Sequence, residues 1–195
     1  DDPEALVLAN GRTFDSAHPS RVGLNVGIAQ AVLATKPDAW IPGGAGRMSL
    51  SVKASTLRPL GVNHPARQAG QRPGWFFKWV HGVKVVVVGV SDEQGWMVDR
   101  VSGGVSVRKA ASGDRGLAEA FPLIRKEQPD VWILVADAPD RRVRTWMKMF
   151  PEFDVGVALG SDSPIEESRV KKGLLVAPGN TDRWMAETRV VFDTV

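Results

Sequence analysis

The stretch that most constrains this chain is "VKVVVVGV", Val83–Val90. It is β-branched almost throughout and apolar at successive positions rather than alternate ones. A strand of that kind has no polar face to give to water, so it belongs in the middle of a sheet covered on both sides. Trp75–Val80 precedes it, separated by His81-Gly82, and the pair reads as a hairpin. Two further runs have the same buried-strand character: Val131–Val135 ("VWILV") and Asp154–Leu159 ("DVGVAL"). The three are expected to be neighbours in one central sheet.

Helical spacing separates these strands. Asp114–Gln128 places Leu117, Phe121 and Ile124 on one face, with Pro122 marking either a kink or a late start. Asp140–Phe150 does the same with Val143, Trp146, Met147 and Phe150. Upstream, Ala5–Ala9 and Ala39–Pro42 read as strands, Val22–Thr35 as a helix and Leu50–Leu57 as a short one. Arg58–Gly74 reads as loop and Gln94–Val107 as glycine-rich and irregular. Gly160–Pro164 with Glu166-Glu167 reads as a turn and a helix start, while Gly173–Ala177 and Thr188–Phe192 are strands suited to closing an edge. The expected architecture is a single α/β domain over residues 1–195, a sheet core flanked by helices.

Composition excludes several functions. No cysteine is present, so thiolate metal sites, disulfides and a cysteine nucleophile are ruled out. No apolar window reaches the roughly 18 residues that membrane crossing needs. The net charge is +3, but its basic residues are scattered, as in the cluster Arg141, Arg142, Arg144 and the pair Lys171, Lys172. Neither is the dense basic run expected of a nucleic-acid site, and both read as solvated faces. The three histidines, His18, His64 and His81, are isolated, so no Ser-His-Asp arrangement is legible. The sequence opens at Asp1 without methionine, as an exported, processed product would, and as a sequence cut at an arbitrary boundary would equally.

In α/β sheets, chemistry gathers at the carboxyl ends of strands. Four places qualify: Asn10-Gly11, Gly43–Arg47, Ala136–Pro139 and Gly160–Pro164. "GGAGR" admits two readings, an anion-binding nest or a tight turn, and it lacks the lysine of a P-loop. Asp137 also admits two. It is a ligand or general base, or it is a turn carboxylate that caps the helix from Asp140 or pairs with Arg47.

The order of segments resembles the calcineurin-like metallophosphoesterases, in particular the catalytic domain of the 5'-nucleotidase and thiosulfohydrolase branch. The resemblance rests on "ALVLA", "VGIAQAVLATKPDAWIPGGAGR", "WFFKWVHGVKVVVVGVSD", "GLAEAFPLIRKEQPDVWILVADA", "FPEFDVGVALGSDSP" and "GLLVAPGNTDRWMAETRVVFDT". It implies a two-metal site whose ligands would fall near Asn10, at or beside Arg47, on Asp137, and on Ser161 and Ser163, with "GVNHP" echoing an Asn-His ligand pair through Asn63 and His64. Serine hydroxyls are poor ligands, and an arginine adds positive charge where two cations would sit. The implied reading is a degenerate domain without cofactor or metal: a non-catalytic subunit that binds another protein chain, such as a cytochrome or membrane complex, in a periplasmic or extracellular assembly. The competing reading is a hydrolase with an altered or single-metal site. For docking, Arg58, Arg67, Arg72, Trp75 and Trp79 are the candidate anchors, because arginine and tryptophan are enriched at interface hot spots.

Overall fold

The computed structural model describes residues 8–10, 39–41, 61–63, 74–92, 96–101, 104–109 and 111–179. The valine run is an interior strand. β3 (Trp75–Val80) and β4 (Val83–Ser91) form an antiparallel hairpin, turned by His81 at φ 47° and Gly82 at φ 81°. Two successive left-handed residues suit the twist of a two-residue hairpin. β4 pairs in parallel with β7 (Val131–Asp137), and β7 pairs in parallel with β8 (Val155–Ala158). β8 is followed across the sheet by β10 (Gly173–Ala177) and then β9 (Ile165–Val170). The six strands therefore run in the order β3-β4-β7-β8-β10-β9, and the three expected neighbours are adjacent.

The two faces of β4 explain its composition. Val86, Val88 and Val90 belong to a core shared with α1 (Gly113–Arg125) and α2 (Asp140–Met149). Val85 and Val87 join Phe76, Val131, Val135 and Leu159 in a second core on the opposite face. From Val85 to Ser91 every residue is buried. A polar side chain on either face would lose water without gaining a partner.

The helices bury the faces that their spacing marks. α1 contributes Leu117, Ala120, Phe121 and Ile124, and α2 contributes Val143, Trp146 and Met147. Phe121 stacks on Trp132 and Phe150 at 5.0 and 4.3 Å between centroids, and Phe153 meets its edge. Ser112 caps α1, its hydroxyl accepting from Arg115 N at 3.3 Å. Pro122 is exposed within α1 and marks neither its start nor its end.

Three expectations need correction. Gln94–Val107 is not irregular: β5 (Trp96–Val101) and β6 (Gly104–Lys109) form an antiparallel pair in which Val98 faces Val107 and Arg100 faces Val105. Its β-branched residues outweigh its glycines once a partner strand supplies the hydrogen bonds. Glu166-Glu167 begins no helix and lies within β9. Lys171, at φ 54°, turns β9 back onto β10, whose outer edge needs a partner. Consequently Gly173–Ala177 does not close the sheet, and the charged β9 does. Exposed Glu166, Glu167 and Arg169 suit an edge, since charge discourages further strand pairing.

A separate parallel pair, β1 (Leu8–Asn10) and β2 (Ala39–Ile41), lies with β2 against β7. The helices expected at Val22–Thr35 and Leu50–Leu57 and the strand at Thr188–Phe192 lie outside the described residues.

Candidate functional site at the carboxyl edge of the sheet

Strand register assembles the carboxyl edge. Ser91, the last residue of β4, stands beside Asp137, the last residue of β7. Ala136 stands beside Ala158, so Leu159 is the next residue along. Alternation along each strand puts Ser91, Asp137 and Leu159 on the face opposite the two helices, the face of Val87 and Val135. Asp137 is 1% exposed. Backbone bonds lock this edge: Asp92 N donates to Asp137 O at 3.2 Å and Leu159 N to Ala136 O at 2.8 Å. The N-cap position of α2 is Pro139, two residues past Asp137.

Past β8 the chain turns tightly. Gly160 N donates to Ala138 O at 3.1 Å, and a Cβ on Gly160 would stand 2.7 Å from the Ala138 backbone. Only glycine permits that approach. Ser161 is buried, and its hydroxyl donates to the Ser163 carbonyl at 2.9 Å. The hydroxyl at one expected ligand position is thus bonded to the backbone of the other.

Asn63 organises the third side. It is 2% exposed. Its Nδ2 donates to Ser91 O at 2.9 Å and to Ala111 O at 3.2 Å, and its Oδ1 accepts from Ser91 N at 3.2 Å. Its own carbonyl accepts from Ala111 N at 2.9 Å, and Val62 N donates to Gly89 O at 2.9 Å. Both amide hydrogens are therefore committed to backbone carbonyls. Asn63 ties the segment 61–63 to the end of β4 and to the entry of α1.

On the helical side of the same edge, Arg142 corrects the reading of its cluster as a solvated face. Its Nε donates to Asp92 at 2.9 Å and its NH2 group to Asp114 at 3.0 Å. Its guanidinium lies 4.9 Å from the centre of the Trp146 ring, and Trp146 Nε1 donates to Asp114 at 2.6 Å. Burial lowers the pKa of Arg142, but the hydrogen bonds and charges of Asp114 and then Asp92 outweigh it and leave the value raised. Asp92 and Asp114 sit 50 and 28 residues from Arg142, so no local spacing reveals the cluster. Asn63 lies in a stretch that the sequence marks, "GVNHP", whereas no candidate site in the sequence includes Asp92 or Asp114.

The remaining candidates divide. Asn10 ends β1, paired with Ile41. Arg47, Arg58, His64, Arg67 and Arg72 lie outside the described residues. Trp75 is half-buried and packs against the core, and Trp146 is wholly buried. Trp79 is 64% exposed.

The described residues do not fit a two-metal centre. Among them, no three histidine, aspartate or glutamate side chains come together as a metal-binding group. Among the described residues, the edge presents the buried carboxylate of Asp137 beside Ser91 and Leu159. A pair of close divalent ions requires several anionic or imidazole donors.

No protein-family model matches the chain, and no curated protein matches it. Solved structures do. A protein assigned as a 5'-nucleotidase from Staphylococcus aureus, in complex with alpha-ketoglutarate, superposes with a TM-score of 0.63 at 14% identity, over 88% of this chain and 39% of that one. The sulfate thiohydrolase SoxB of Thermus thermophilus, in complex with glycerol, superposes with a TM-score of 0.63 at 20% identity, over 90% of this chain and 34% of that one. The chain is thus an α/β protein that shares its fold with these two structures. It spans less than half the length of either of these structures.

Proposed function

We propose that this chain keeps the metallophosphoesterase-like fold as a non-catalytic binding subunit of a larger, exported assembly. One observation carries the reading. At the carboxyl edge, the serine hydroxyl at one expected ligand position closes onto the backbone of the other, Ser161 to Ser163 at 2.9 Å, and among the described residues no group of three histidine, aspartate or glutamate side chains gathers there. The nearby amide of Asn63 reinforces it, since both of its hydrogens serve the fold rather than a ligand. Loading with manganese or zinc followed by elemental analysis tests this, alongside assays on phosphomonoesters, nucleotides and cyclic diesters. The expected result is no stoichiometric metal and no hydrolysis. Two ions per chain would overturn the reading, and one tightly held ion with hydrolysis would establish the altered-site hydrolase instead.

The binding half of the proposal rests on Trp79, a large aromatic left exposed on β3, an edge strand of the sheet. Aromatic side chains of this kind bury large areas at interfaces. The partner is a protein chain, with a cytochrome or membrane complex as the first candidates, and the compartment is periplasmic or extracellular. Trp79→Ala should leave melting within about 0.5 kcal/mol of wild type, as an exposed position does, yet release the chain from its assembly in gentle extracts. A native chain that runs as a free monomer, or a variant that still co-purifies with the partner, would remove this half.

A further inference from the structure

We draw no further inference here: the strongest candidate, the shallow cleft at the start of α2 lined by Asp92, Arg141, Arg142 and Thr145, carries nothing, because the Arg142 guanidinium in it is already held by Asp92 and Asp114 and no orphaned buried polar atom among the described residues belongs to its lining.

Discussion

Gly116 offers a test in which local and tertiary preferences oppose each other. It lies inside α1, where replacing glycine by alanine ordinarily stabilises by about 1 kcal/mol, because the backbone loses less entropy on folding. Here a Cβ would stand 2.7 Å from Asn63 N and 2.8 Å from Asn63 Cα. These are backbone atoms, so no change of rotamer relieves the clash. Forcing a methyl into a packed site costs about 1–3 kcal/mol. Pushing Asn63 outward also stretches its three side-chain hydrogen bonds to Ser91 and Ala111. Each such bond is worth about 1 kcal/mol when buried. With half of that hydrogen-bond energy lost, about 1.5 kcal/mol, and the helix gain subtracted, Gly116→Ala is less stable by about 1.5–3.5 kcal/mol. At about 2–4 °C per kcal/mol for a domain of this size, melting should fall by about 3–14 °C. Urea unfolding followed by tryptophan fluorescence gives the free energy. Glu119→Ala is the control in the same helix, since its pairing with Arg115 is exposed and its loss should leave the melting temperature near that of wild type. A Gly116→Ala protein as stable as wild type would refute the packing of segment 61–63 on α1, and with it the latch assigned to Asn63.

Two further substitutions address the sheet and its edge. Val86→Asp places a charge in a fully buried position between β3 and β7 and should cost about 3–5 kcal/mol, giving an insoluble or unfolded chain on expression; a soluble variant with near-normal melting would contradict the fold. Arg142→Gln removes the pairings with Asp92 and Asp114 and should cost about 1–2 kcal/mol in thermal unfolding. Because the folded pKa of Arg142 is raised, its contribution is fully present below the ordinary arginine value and is lost only as pH rises through the folded one. The deficit of Arg142→Gln relative to wild type should therefore stay constant from roughly pH 7 to 9, and a deficit that shrinks across that window would assign the effect to another group.

What could be read from the sequence follows from which interactions are local. The apolar character of "VKVVVVGV", "VWILV" and "DVGVAL" by itself requires strands buried on both faces, and they are β4, β7 and β8 in the middle of the sheet. The helical stripes of α1 and α2 name the residues that the helices bury, because a period of 3.6 residues places them on one side whatever the partner. His81-Gly82 names its own turn through Gly82, because glycine takes left-handed backbone without steric cost, and the hairpin then carries His81 into the same region. Beyond that, the partner of each group decides. Glu166-Glu167 is compatible with a helix start until β10 presents an open edge, and hydrogen bonding to that edge makes the segment a strand. The glycines of Gln94–Val107 obscure a hairpin that only cross-strand pairing reveals. The carboxyl edge depends most on tertiary structure. Ser91 and Asp137 are 46 residues apart and become neighbours through parallel register alone, and Arg142 gathers Asp92 and Asp114 across three elements. Register and ion pairing are fixed by the shapes of both buried faces at once, so a chain read residue by residue shows the strands that will be central but not the groups that will meet at their ends.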